Sequence, residues 1–271
     1  MEASNNQVPG QETIFHYLDF NPEGKPAVLL LHGLGADSTS WGYQIPLLSE
    51  AGFRPIVPDL PGFGKSIAGH NHWTIGKTAS DVAQLLGKVT AEPVAAVGIS
   101  MGGTVALQMA LDYPQLVSRL VLISTFARLR PKRLDEMGFL LGRFVIAHMR
   151  GKEYQAGLVA RRMFPRPDQE FLREELIHQI LQSNEKVYRQ AMQSLALFDV
   201  HKRLAEIKIP TLVISGANDS TVPLANQEEL VHGISGAKHT IIPEAGHAVI
   251  ADQVSRFNSE LLKYLQESYS S

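Results

Sequence analysis

Glycines stand two residues to either side of a serine in Gly98-Ile99-Ser100-Met101-Gly102, and Gly103 follows. A serine hydroxyl is a weak nucleophile. An enzyme that uses one must hold it exposed on a sharp turn, with room for a strained backbone and a close helix, and with a base in reach. The apolar run PVAAVGI (93–99) before Ser100 reads as a strand, and GGTVALQMA after it opens a helix. That strand, elbow and helix context separates a nucleophilic serine from the glycine-flanked serine of an ordinary turn.

The base comes from ten histidines. His247 lies in PEAGHAVIADQ, between the expected strand KHTIIP (238–243) and the last helix. This is the C-terminal edge of a sheet, where open α/β folds bind ligands. An isolated histidine is more often a surface or packing residue, so the reading depends on Ser100. Asp219, in SGANDSTVP after PTLVIS (210–215), is placed to meet the imidazole from behind. Its alternative role is a turn or cap. Asp252 is a second candidate acid because it is near His247 in sequence, and its alternative is the N-cap of the last helix. The chain order Ser100, Asp219, His247 is the one that accompanies this kind of elbow.

Elements that can position these residues follow from the patterning. AVLLLH (27–32), RPIVPD (54–59), PVAAVGI, RLVLIS (119–124), PTLVIS and KHTIIP are short, apolar and partly β-branched, as strands buried on both faces are. Helical patterns alternate with them, in STSWGYQIPLLSEAG, KTASDVAQLLGKV, GGTVALQMALDYP and VSRFNSELLKYLQES. The alternation predicts a mostly parallel sheet flanked by helices. It fails between about Phe126 and Lys208, where amphipathic helices such as DEMGFLLGRFVIAHM and DQEFLREELIHQILQSNEKVYRQAMQSL replace it. The expected organisation is a core of residues 1–125 and 209–271 with an inserted helical cap, 126–208. Met137, Phe139, Phe144, Met149, Phe164 and Phe198 are candidates to line an apolar pocket, with self-packing of the cap the commoner use of such residues.

The 271 residues suit one large α/β domain, and 44% hydrophobic against 19% charged residues provides a full core. Twenty-five basic and 27 acidic residues without a long run of one sign give no footprint for nucleic acid or an anionic membrane. No apolar run approaches the ~20 residues of a membrane span, and the start MEASNNQVPGQET lacks the pattern of a secretory signal, so a cytoplasmic location is expected. The absence of cysteine removes thiolate nucleophiles, disulfides and cysteine-based metal sites. His70 and His72 read as loop residues rather than metal ligands, and PGFGKS (61–66) lacks the spacing of a phosphate loop. No cofactor or metal is expected.

HGLGADSTSW (32–41), PDLPGFGKS (58–66), GISMGG (98–103), GANDSTVP (216–223) and AGH (245–247) together resemble the α/β-hydrolase fold superfamily, in its esterase, lactonase and C–C hydrolase group. The resemblance covers nearly everything outside the cap. It implies an oxyanion hole built from the backbone amides of Leu34 and Met101, and gives His32 a structural role. Serine at the elbow, where epoxide hydrolases and haloalkane dehalogenases of this fold carry aspartate, points to hydrolysis of a small-molecule, apolar carboxylic ester. Lactone or enol-lactone hydrolysis and cleavage of a meta-cleavage-type C–C bond are the alternatives, the last weakened by Ala248-Val249 where such enzymes commonly carry tryptophan. A reading of another class is a small-molecule receptor that keeps an intact triad.

Overall fold

The computed structural model describes residues 4–9, 13–69, 72–129 and 151–267. Eight strands form one sheet: β1 (Ser4–Pro9), β2 (Ile14–Asp19), β3 (Ala27–Leu31), β4 (Arg54–Pro58), β5 (Val94–Ile99), β6 (Val117–Ile123), β7 (Thr211–Gly216) and β8 (Lys238–Ile242). Their spatial order is β1-β2-β4-β3-β5-β6-β7-β8. The six strands read from apolar runs are all present and mutually parallel. β1 and β2, absent from the sequence reading, add an antiparallel edge.

The described helices are α1 (Ile45–Glu50), α2 (Ile75–Val89), α3 (Met101–Asp112), α4 (Gly151–Met163), α5 (Glu170–Gln182), α6 (Glu185–Leu197), α7 (Leu224–Gly233), α8 (Val249–Asp252) and α9 (Val254–Glu267). They cover both faces of the sheet, which is why its central strands can be apolar throughout. Along β3, Leu29 and Leu31 join one core cluster with α2 and α3, and Val28 and Leu30 join a second with α1 and α9. The chain is thus an α/β-hydrolase-type sheet with helices on either side.

Between β6 and β7 come α4, α5 and α6. The run from 168 to 195, read as one helical segment, breaks at Ser183-Asn184, where the Asn184 side chain accepts from the Val187 amide at 3.1 Å and starts α6. Met137, Phe139, Phe144 and Met149 lie outside the described residues. Phe198 packs edge-on against Phe126 with ring centroids 6.4 Å apart and belongs to the core rather than to the wall of the main cavity.

Strand order reverses on either side of β3, because β4 lies to one side and β5 to the other. At such a switch point the loops leaving the two strands diverge and open a crevice at their C-terminal ends. The loop after β3 begins at His32, and the loop after β5 is Ser100.

Candidate active site

Ser100 joins β5 directly to α3 and holds φ 54°, ψ −115°, a conformation that an L-residue adopts only under constraint. Its amide donates to Ile123 O at 2.9 Å, and its carbonyl accepts from the Thr104 amide at 3.1 Å and from Thr125 Oγ1 at 2.8 Å. The flanking glycines are explained by contact. A Cβ on Gly98 would lie 2.3 Å from Gly102 O, and one on Gly102 would lie 2.1 Å from Leu31 O. Any side chain at either position would push α3 off the sheet and flatten the elbow.

Met101 is the first residue of α3, so its amide is among the four that a helix start leaves without an intrahelical acceptor. Leu34 follows Gly33, whose added Cβ would sit 3.7 Å from Ser100 Cβ, so the two loops run side by side. His32 fixes the first of them. Fully buried, it donates from Nδ1 to Gly33 O at 2.8 Å and accepts at Nε2 from the Leu60 amide at 2.9 Å. Burial pushes its imidazole below the usual range, outweighing the Gly33 carbonyl and the nearby Asp59 and Asp37, so it stays neutral with the proton on Nδ1.

His247 and Asp219 meet. His247 Nδ1 lies 2.9 Å from Asp219 Oδ2 and 3.1 Å from Oδ1, which assigns the ring proton to Nδ1. Asp219 Oδ1 also accepts from the amides of Thr221 (2.8 Å) and Val222 (2.9 Å), and Oδ2 accepts from Gln227 Nε2 at 3.2 Å. The two loops are joined by backbone as well, since the Asn218 amide donates to Ala245 O at 2.8 Å. Gln227, fully buried on α7, was not singled out in the sequence; its only signal is an amide side chain eight residues beyond the acid, at a helix start.

Asp252 is not a partner of His247 and does not cap the last helix. It ends α8, and its carboxylate accepts from the Gly246 amide at 2.6 Å and from Gln169 Nε2 at 2.8 Å, with Arg166 Nη1 at 2.9 Å. Both Asp252 oxygens are thus engaged by Gly246, Gln169 and Arg166, and it is Asp219, farther away in sequence, that meets the imidazole.

Ser100, His247, Gly33 and Leu34 open on one cavity of about 490 Å³. Its other walls are mainly apolar: Phe126 and Val222 from the core, Val159, Phe164, Leu176 and Met192 from α4, α5, α6 and the segment between α4 and α5. Phe164, named from the sequence, is thus a cavity residue. His70 lies outside the described residues, and exposed His72 faces Gln190. Among the described residues no group of three or more His, Cys, Asp or Glu is arranged to hold a metal ion.

The family model for the alpha/beta hydrolase fold matches residues 26–253. The chain belongs to the α/β-hydrolase fold family. Within that family it is 31% identical, over 92% of its length and 95% of the relative's, to a protein of Variovorax paradoxus (strain S110) named as a carbamate hydrolase, RutD. It is 27% identical to 3-oxoadipate enol-lactonase 2 of Acinetobacter baylyi, over 93% of this chain and 92% of that one. A thermophilic esterase structure from Thermogutta terrifontis superposes on 98% of both chains with a TM-score of 0.81 and 27% identity. As a member of this family the chain is a hydrolase. No helix among the described residues is long and apolar enough to cross a membrane.

Proposed function

We propose that this hydrolase cleaves a carboxylic ester of a small apolar molecule through an acyl-enzyme on Ser100, with residues 126–208 acting as a helical cap over the core formed by 1–125 and 209–271. The observation that carries the reading is the Ser100 elbow, which opens on the same cavity as a histidine whose far nitrogen is held by a buried aspartate.

In the first half of the cycle His247 Nε2 takes the Ser100 proton as the hydroxyl oxygen attacks the ester carbonyl carbon. The carbonyl π electrons move onto oxygen, and the amides of Leu34 and Met101 hold the resulting anion. The His247 imidazolium, held at Nδ1 by the Asp219 carboxylate, then protonates the alkoxide leaving group as the C–O bond breaks. In the second half the same imidazole deprotonates water, which attacks the acyl-enzyme; collapse releases the acid and returns the proton to Ser100. Three donors on Asp219 keep its carboxylate oriented toward His247 through the cycle.

A second reading rests on the relatives' names. Esters, enol-lactones and carbamates all present an acyl carbon bearing a heteroatom leaving group, so one triad and hole serve all three. A panel of p-nitrophenyl esters of increasing acyl length, with matched lactones and carbamates, assayed on wild type and Ser100→Ala, separates them. Ester turnover abolished in the alanine variant supports the first reading, and a preference for the lactone or carbamate of matched size supports the second. Tight binding with no turnover of any of them would instead mark a receptor.

A further inference from the structure

Asp252 is a buried carboxylate, 4% exposed, that the cycle above does not use. Its two oxygens face opposite ways along the chain. Oδ2 accepts from the amide of Gly246, the residue immediately before His247. Oδ1 takes Gln169 Nε2 and Arg166 Nη1, both from the segment between α4 and α5 that roofs the cavity. Gln169 is itself 3% exposed, and its other end, Oε1, accepts from the Arg166 amide at 3.0 Å, so the roof side of the tie is preformed. Arg166 also pairs with exposed Asp168 at 3.2 Å. None of Arg166, Gln169 and Asp252 lines the cavity.

Other roof contacts grip the core away from the base: Gln179 to Thr39 Oγ1 at 2.8 Å, Gln190 to the Trp73 amide at 3.0 Å, and Ser194 to the Ile75 amide at 3.0 Å. Arg162 of α4 reaches the carbonyl of Ser220, beside the acid. At the histidine loop itself the carbonyl of Met163, the last residue of α4, lies against Gly246, and the Asp252 tie adds hydrogen bonds and an ion pair there.

We propose that Asp252 is a positioning residue for His247, and that through Arg166 and Gln169 it makes the placement of the base depend on the seating of the roof. The inference rests on His247 being the base of Ser100. Two interactions on one carboxylate are coupled: when the roof lifts, Asp252 loses two of its three donors, and an isolated buried carboxylate rotates toward water and releases the Gly246 amide. A loop displacement of about 1 Å at the base is enough to cost up to about a hundredfold in the chemical step.

The test uses a small fluorophosphonate, which needs little of the cavity, and reads phosphonylation of Ser100 by intact mass as separate kinact and KI values. Wild type, Ser100→Ala, Gln169→Leu, Arg166→Ala, Asp252→Asn and the Gln169→Leu/Asp252→Asn double variant are compared. Asparagine keeps an acceptor for Gly246 but presents a donor to Gln169 and Arg166, so it cuts the roof side alone. The expected result is no labelling of Ser100→Ala, a fall in kinact of about tenfold or more in Gln169→Leu, Arg166→Ala and Asp252→Asn with KI unchanged, and no further fall in the double variant. Wild-type kinact in Gln169→Leu and Arg166→Ala overturns the proposal whatever Asp252→Asn does, and so does a loss confined to KI. Failure of wild type to label, or equal labelling of Ser100→Ala, instead removes the nucleophile assignment on which the inference stands.

Discussion

His247 Nδ1 lies 2.9 Å from Asp219 Oδ2, and the two side chains are only 3% and 1% exposed. Water therefore competes little for either partner. With its Nδ1 proton engaged by the carboxylate, the imidazole turns its Nε2 lone pair outward, which is the tautomer a base for Ser100 requires.

Asp219→Asn keeps the shape of this pair but can present an amide donor to Nδ1 and so stabilise the opposite tautomer. Ester turnover is expected to fall by about three to four orders of magnitude with KM little changed. Steady-state kinetics on p-nitrophenyl butyrate check it; a loss below tenfold would mean that another group orients His247.

Gly102→Ala places a Cβ 2.1 Å from Leu31 O, a backbone atom that cannot rotate away. The substitution is expected to destabilise the fold by about 3 kcal/mol or more, beyond the usual cost of overpacking a side-chain contact. Chemical denaturation measures it, and a variant of wild-type stability would show that the elbow is looser than its geometry implies.

The six parallel strands and the elbow were legible because they depend on local pattern: an apolar run, a break, a helix start. β1 and β2 were not. SNNQVP carries no apolar period, and IFHYLD owes its burial to partners far along the chain, such as the Ser66 hydroxyl that accepts from the His16 amide at 2.9 Å. The contact between His247 and Asp219, and the cavity that Ser100 shares with His247, were foreshadowed by the position of all three at strand ends. Gln227 and the contacts of Asp252 could not be read that way, because each is defined by the side chain it touches, 8 and 83 residues away in the chain.

Acid stability should fall in two stages. His32 is held neutral by burial, and in the unfolded chain it takes up a proton below about pH 6.5. The stability it contributes is complete above that pH and is lost as pH falls from there toward its lowered folded value. Burial works to raise the Asp59 carboxyl, but the amides of Lys65 and Ser38, with His32 nearby, outweigh it and hold it below the usual range. Its contribution is present above about pH 3.9 and is lost as pH falls through the folded value. Unfolding free energy measured against pH checks both; His32→Gln should flatten the slope just below about pH 6.5, and an unchanged slope would assign that stage to other groups.

Leu172 of α5 is a half-buried part of the cavity wall. Leu172→Trp removes apolar volume and should shift the preferred p-nitrophenyl ester toward shorter acyl chains, with a loss of about tenfold on the longest substrate that wild type accepts. An unchanged length profile would place the acyl chain elsewhere.

The assignment of Ser100 as a nucleophile that carries the acyl group is tested most directly by quenching the enzyme in acid during turnover of p-nitrophenyl butyrate and locating the adduct by peptide mass spectrometry. The account predicts a butyryl group on Ser100 in wild type, and in Ser100→Ala no adduct and turnover lower by at least about three orders of magnitude. An adduct on another residue, or turnover that survives in Ser100→Ala, would contradict it.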